Sequence, residues 1–133
     1  MNNYLAIGTW TLRLLAALIL LQTLFFKFTA APESVYIFST IGMEPWGRIG
    51  TGVLELIASI LILVPVTTVF GALLAVGLMA GAVFFHLTKL GIAVQGDGGQ
   101  LFIYALLVLF SSITLIVIHR DTLIVLIRTK LFA

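Results

Sequence analysis

The stretch GQLFIYALLVLFSSITLIVI, residues 99–118, contains no charged side chain. A helix needs about 20 apolar residues to cross the hydrocarbon core of a bilayer. A strand of a membrane barrel needs about half as many and alternates polar with apolar residues. Residues 99–118 do not alternate, so they predict a transmembrane helix.

Three further apolar segments of similar length precede it, at about residues 4–28, 47–64 and 68–87. Hydrophobic residues make up 62% of the 133 residues and charged residues 9%, whereas a soluble domain has about 25% charged residues. The second and third segments are joined by a turn at residues 65–67 that is too short for anything but antiparallel neighbours. We therefore predict an all-α membrane protein, an antiparallel bundle of four transmembrane helices formed by one domain, residues 1–133.

Two shorter pieces are predicted outside the bundle. Residues 35–38, between the first two helices, form a short interfacial segment, and residues 122–133 form an amphipathic tail on the membrane surface. Asp97 lies in a glycine-rich turn just before the fourth helix, where a carboxylate interacts favourably with the helix dipole.

The first segment has an alternative interpretation, a cleaved signal peptide with its core at residues 14–26. Residues 1–12 contain no basic residue, Lys27 lies on the wrong side of the core, and Pro32 would follow the cleavage site. These flanks favour a membrane helix.

The few charged residues inside the helices make membrane insertion less favourable, since an ionised side chain at the bilayer centre raises the free energy of insertion by about 2.5–3.5 kcal/mol. Each should therefore face the bundle and find a partner. Helical spacing places Arg13 and Lys27 on one face of the first helix, and Arg48 and Glu55 on one face of the second. Arg13 with Glu55 is the preferred ion pair, and Glu55 with Lys27 or His86 is the second choice.

Two interpretations of these polar residues stay open. One buried ion pair can simply fix the register of the helices. Alternatively, the residues form a ligand-binding cluster near the midplane, whose surplus positive charge suits an anionic or carbonyl-bearing ligand. The candidate residues are Arg13, Lys27, Arg48, Glu55, His86 and Tyr104.

Other classes of site and partner are disfavoured. Cysteine is absent, which excludes disulfides and direct thiol redox chemistry. No second His or carboxylate stands three or four positions from His86, so no metal site is predicted. The seven basic residues are spread along the chain, so nucleic acid is not a predicted partner. Gly77 and Gly81 form a GxxxG step that permits close packing, within the bundle or in a homodimer.

The order of these motifs resembles the DoxX family of small bacterial membrane proteins. The motifs are an Arg early in helix one (Arg13), Phe26-Lys27 at its end, Gly52-x-x-Glu55, a His closing helix three (His86), Asp97-Gly98-Gly99 and Phe102. The resemblance implies a four-helix bundle in the bacterial inner membrane, similar to subunits linked with thiosulfate:quinone oxidoreduction and to members tied to quinone or catechol stress. It also implies that Arg13, Lys27, Glu55 and His86 are the family's polar residues.

The function that this resemblance implies is binding of a small, quinone-like ligand, or service as an accessory subunit of a membrane oxidoreductase system. No cofactor is evident from the residues themselves. In this hypothesis Glu55 and His86 handle protons, while Arg13 and Lys27 hold a carbonyl or anionic oxygen. The alternatives are a non-catalytic scaffold or anchor for a protein partner, and a small transporter that works as a dimer. The basic residues of the tail favour cytoplasmic termini.

Overall fold

The computed structural model describes residues 2–131, which form helices and no strand. Six α-helices lie in this range: α1 (Asn3–Phe28), α2 (Pro32–Thr40), α3 (Trp46–Leu63), α4 (Thr68–Phe85), α5 (Gln100–Ile118) and α6 (Arg120–Leu131). A 3-10 turn, Pro65–Thr67, precedes α4, and a π-helical turn, His86–Leu90, follows it. The helices α1, α3, α4 and α5 are long and apolar enough to cross a membrane. The predicted class, an all-α protein with four transmembrane helices, is confirmed.

The four transmembrane helices form a ring. The helix α1 packs against α3 and α5, and α4 packs against the same two helices from the opposite side. The centre is built largely from small side chains, Ala16, Ala17, Ala58, Ala72 and Ala75, all of them fully buried. Small residues let helices approach closely where lipid supplies no hydrophobic driving force. Large apolar side chains such as Phe25, Ile60 and Phe110 cover the outside and contact the bilayer.

The helices α3 and α4 approach each other closely at Gly71. A Cβ atom added to Gly71 would lie 2.6 Å from the backbone nitrogen of Ile62 and 2.8 Å from the carbonyl oxygen of Ala58. A Cβ added to Gly77 or Gly81 would meet nothing within 4 Å. Gly71 therefore permits close packing of α4 on α3, whereas the GxxxG step borders open space.

The two short helices lie at opposite ends of the bundle. We call the end that carries α2 and residues 86–99 the loop end, and the other end the terminal end. The helix α2 begins with Pro32 in its first turn and buries Ser34 and Phe38 against the loop end. The helix α6 has no buried residue and carries Arg128 and Lys130 in its last turn. The predicted tail continues to Ala133, but residues 132–133, like residue 1, lie outside the described residues.

Candidate ligand-binding site

A buried ion pair joins α1 to α3. Glu55 lies at the middle of α3 and is 3% exposed. Its Oε2 atom is 3.1 Å from Lys27 Nζ and accepts a hydrogen bond of 3.2 Å from Thr23 Oγ1. Thr23 and Lys27 are four residues apart on α1, so both face α3. The partner of Glu55 is therefore Lys27, the second choice from the sequence.

The preferred prediction, a pair between Arg13 and Glu55, was wrong. Side chains in a helix lean toward its N-terminus. Because α1 and α3 run antiparallel, Lys27 leans into the bundle while Glu55 leans toward the loop end, and the two side chains meet. Arg13 leans away from Glu55, and it precedes Thr23 by ten residues, which is about 15 Å along the helix.

Arg13 instead occupies the terminal half of the bundle. It is 5% exposed, and its Cζ atom lies 4.6 Å from the centroid of the Trp10 ring, a cation–π contact. Within residues 2–131, its Nε atom is buried without a hydrogen-bond partner. Arg13 therefore lies outside the cluster that contains Glu55.

Arg48 has a structural role next to that cluster. Its Nε donates to both carboxylate oxygens of Glu44, at 2.9 and 3.0 Å. Its Nη1 donates to the backbone carbonyl of Lys27, one of the carbonyls that the C-terminus of α1 leaves without a helical partner. Arg48 thus holds the end of α1 in place and positions Lys27.

His86 is fixed by the turn that ends α4. Its Nδ1 atom lies 3.0 Å from the carbonyl oxygen of Gly91, and the Gly91 N–H donates to the carbonyl of His86 at 2.8 Å. Gly91 has φ +81°, a conformation that side-chain-bearing residues rarely adopt. The His86 ring also packs edge-on against Phe102, with ring centroids 5.5 Å apart. The histidine is 5% exposed and is held at the loop end.

Asp97 organises the loop between His86 and α5. Its Oδ1 accepts hydrogen bonds from the backbone N–H groups of Val94 (2.9 Å) and Gly99 (2.8 Å), and its Oδ2 accepts one from Leu101 (3.3 Å). Burial alone would raise the pKa of this carboxyl, but the three N–H donors, with a smaller electrostatic contribution from His86, outweigh it and lower the pKa below its ordinary value. Asp97 is therefore a structural carboxylate at the start of α5.

Substitution Asp97→Ala is expected to reduce the free energy of unfolding by about 1–3 kcal/mol, since it leaves backbone donors unpaired. Asp97→Asn keeps one acceptor oxygen and should lose less. Because the folded state lowers the pKa, the contribution of Asp97 is complete above about pH 4 and is lost as the pH falls through the lower folded pKa. Denaturant unfolding in detergent, followed by circular dichroism at neutral and acid pH, measures both effects. Equal stability of the wild type and Asp97→Ala at neutral pH would contradict this role.

A cavity of about 630 Å³ occupies the loop half of the bundle. Its wall is formed by α1, α3, α4 and α5, by α2, and by residues of the 86–97 loop. Its polar lining includes Thr23, Lys27, Glu55, His86, Gln100 and Tyr104, and its apolar lining includes Ile19, Leu20, Phe38, Met79 and Phe85. The ion pair and the histidine therefore face one shared space.

Residues 11–113 match the family model described as the DoxX-like family. The chain belongs to the DoxX-like family. The match contains all four transmembrane segments in whole or in large part, together with the cavity wall, and it confirms the family resemblance predicted from the sequence. The comparisons with curated proteins and with solved structures gave no match.

In this DoxX-like chain, four of the six candidate residues line the cavity: Lys27, Glu55, His86 and Tyr104. Arg13 and Arg48 do not. The Tyr104 hydroxyl accepts a hydrogen bond of 2.8 Å from the Gln100 side chain. Among residues 2–131, no group of three His, Asp or Glu side chains is placed to hold a metal ion.

Sequence reasoning missed several residues of this DoxX-like site. Thr23 was detectable, because it lies one helical turn before Lys27 and shares its face. The contribution of α2, through Ser34 and Phe38, was not detectable, because it depends on how the short helix folds over the loop end. The position of Gly77 and Gly81 at the border of the cavity was likewise not detectable from the sequence.

Proposed function

We propose that this multi-pass membrane protein binds a small lipophilic molecule with a polar head, of the quinone type, and serves a membrane oxidoreductase system as an accessory subunit. The observation that carries the proposal is the cavity of about 630 Å³, which lies within the range of about 300–1,000 Å³ typical of ligand pockets. Its wall is mostly apolar, with a few polar groups at defined places, which is the usual composition of such sites.

The polar groups suit the head of such a ligand. Lys27 has three N–H donors, and Glu55 accepts from one of them. The remaining donors are suited to an oxygen atom of the ligand. We assign proton handling to Glu55 and His86, a carboxylate and an imidazole that line this wall beside Lys27. Arg13 has no part in this proposal, because it lies outside the cavity.

The remaining parts of the cavity suit the rest of the ligand. Gly77 and Gly81 form a section of wall without side chains, where a flat ring can lie against the helix backbone. Leu20, Phe38 and Met79 supply apolar contacts beside it. The bilayer is the natural source of such a ligand, because the cavity lies between helices that cross it.

We also propose that the protein resides in the bacterial inner membrane with its termini in the cytoplasm, since Arg120, Arg128 and Lys130 lie on the terminal side. The cysteine-free chain suits a labelling test. Cysteine placed at Thr129 should react with a membrane-impermeant maleimide only after the cells are permeabilised. Labelling in intact cells would contradict the orientation.

The ligand proposal is tested by purifying the protein in native lipid particles and analysing the extracted lipophilic compounds by mass spectrometry and ultraviolet spectroscopy. The wild type is expected to retain a quinone-like compound at a fixed ratio to protein. Glu55→Gln should lose it, because the carboxylate next to Lys27 is removed. Asp121→Asn, on the exposed surface of α6, serves as the control and should retain the compound. Bulk lipids alone, identical in all three samples, would contradict the proposal and favour the scaffold alternative.

A further inference from the structure

Arg13 carries a positive charge that none of the described residues neutralises. Its side chain is 5% exposed, and its Nε atom is fully buried without a hydrogen-bond partner among residues 2–131. Neither Nη atom donates to any of these residues, and neither is among the fully buried atoms without a partner, so both retain accessible surface. The guanidinium lies beside Trp10, whose side chain is 43% exposed and reaches the outside of the bundle.

The buried hydroxyl groups of the terminal half do not supply the missing acceptor. Thr9, one turn earlier on the same face of α1, donates to the carbonyl of Leu5 at 2.7 Å. Thr68, at the start of α4, donates to two carbonyls of the α3 C-terminus. Ser112 on α5 is fully buried, and its Oγ has no hydrogen-bond partner among residues 2–131. A hydroxyl is also uncharged, so none of these groups can compensate the charge of the guanidinium.

The register of the helices places Arg13 close to the membrane surface at the terminal end. Thr23 and Lys27 of α1 meet Glu55 of α3. Arg13 precedes Thr23 by ten residues, about 15 Å, and Leu63, the last residue of α3, follows Glu55 by eight residues, about 12 Å. Because the helices are antiparallel, both distances run toward the terminal end. Arg13 is therefore level with the end of α3, where the lipid headgroups begin.

The terminal end is rich in basic side chains and poor in acidic ones. Of the five Asp and Glu side chains, all of them within the described residues, only the exposed Asp121 lies there. The basic side chains at this end are Arg13 and, on α6, Arg120, Arg128 and Lys130. This surplus of positive charge attracts anions from outside the chain.

We infer that Arg13 and Trp10 form a binding site for the phosphate of an anionic phospholipid in the leaflet at the terminal end. The Trp10 ring covers one face of the guanidinium, 4.6 Å from Cζ, and leaves the in-plane N–H donors for two phosphate oxygens, the geometry that a guanidinium favours. The exposed part of the ring contacts the first segment of the acyl chains, as tryptophan does at membrane interfaces. The site lies outside the cavity of the loop half and is independent of the proposed function.

The two tryptophans of the chain, Trp10 and Trp46, allow a direct test. Trp46 begins α3 at the loop end, next to Arg48, which is paired with Glu44. Trp46→Phe leaves Trp10 as the single reporter, and Trp10→Phe leaves Trp46 as the matched control. Each protein is placed in vesicles of phosphatidylglycerol and phosphatidylcholine in which one of the two lipids carries bromine atoms on its acyl chains. Fluorescence quenching then gives the relative affinity of the two lipids for the surface beside each tryptophan.

Phosphatidylglycerol is expected to be preferred at Trp10 by about fivefold, the factor associated with one basic residue at an anionic membrane surface. At Trp46 the two lipids should bind equally. Arg13→Gln should abolish the preference at Trp10. Arg13→Lys should keep part of it, because the charge remains and the planar fork is lost. Arg128→Gln, which removes an exposed cation from α6, should leave it unchanged.

Equal affinity of the two lipids at Trp10 would overturn the site, and this comparison leaves Arg13 in place, so misfolding of an Arg13 variant cannot produce it. An equal preference at Trp46, or loss of the preference in Arg128→Gln, would show a general attraction of anionic lipid and would also overturn the site. Excess inorganic phosphate should leave the preference unchanged. Its loss under that condition would show that the site takes free phosphate, and would overturn the assignment to a lipid.

Discussion

Glu55→Ala is expected to lower the free energy of unfolding by about 3 kcal/mol, because it leaves the Lys27 ammonium, whose side chain is only 15% exposed, without its counter-charge. The opposite change, Lys27→Met, should cost a similar amount, since the Glu55 side chain is only 3% exposed. The double variant should recover a large part of the loss, because neither charge then remains. Unfolding in mixed detergent micelles, followed by circular dichroism, measures all three variants.

Arg13 provides the matched control for the double-mutant cycle of Lys27 and Glu55. Arg13→Met also removes a buried cation from α1, but Arg13 contacts Trp10 and makes no ion pair with Glu55. Its effect should therefore add to that of Glu55→Ala within about 0.5 kcal/mol. A larger coupling of Glu55 to Arg13 than to Lys27 would contradict the pairing found in the structure.

Gly81→Leu is expected to weaken the binding of a quinone or hydroquinone probe by more than tenfold while the protein still folds. The new side chain enters open space, since a Cβ atom at Gly81 meets nothing within 4 Å, and it then fills volume that belongs to the cavity. A leucine in place of glycine also raises helix propensity, by about 0.5–1 kcal/mol. Titration of duroquinone into wild-type protein and the variant, both held in lipid nanodiscs, measures the loss.

Two other glycines separate cavity filling from general effects of the substitution. Gly8→Leu places the same side chain on the exposed face of α1, where a Cβ also meets nothing within 4 Å, and binding should be unchanged. Gly71→Leu should destabilise the fold itself, because its Cβ would lie 2.6 Å from the Ile62 backbone. Undiminished binding in Gly81→Leu, with the protein folded, would show that the ligand does not occupy this cavity.

The fold was largely predictable, because only a segment of sufficient length and apolar composition can cross a bilayer. A backbone without water must satisfy its hydrogen bonds internally, so long apolar segments become helices. The structure adds that the piece around residues 35–38 is a complete helix, α2, with Phe38 buried. A few mixed residues between two helices do not reveal such docking.

The site was predictable only in its composition. The free-energy cost of placing a polar or charged side chain in the bilayer identified Lys27, Glu55 and His86 as residues that need partners. The structure brings these three side chains to one cavity. The choice between Arg13 and Lys27 required the vertical register of α1 against α3, which depends on the loop-end contacts of Arg48. Periodicity along one helix carries no information about that register.

The GxxxG step shows a further limit of sequence reasoning. Gly77 and Gly81 predicted close packing, within the bundle or between two copies, because small residues permit it. A residue without a side chain can allow two helices to approach closely, but it can equally leave an empty space beside the helix. The structure shows the second outcome, because these glycines border the cavity. A homodimer through this face stays a prediction, and it would share its surface with one wall of the cavity.

If the cavity beside Lys27 and Glu55 holds one lipophilic molecule, native mass spectrometry of the wild-type protein, released from native lipid particles, should detect it. We expect a single adduct at one molecule per chain that is not a phospholipid and that is absent from Gly81→Leu. A bare protein mass, or the same graded series of phospholipid adducts in both proteins, would contradict it.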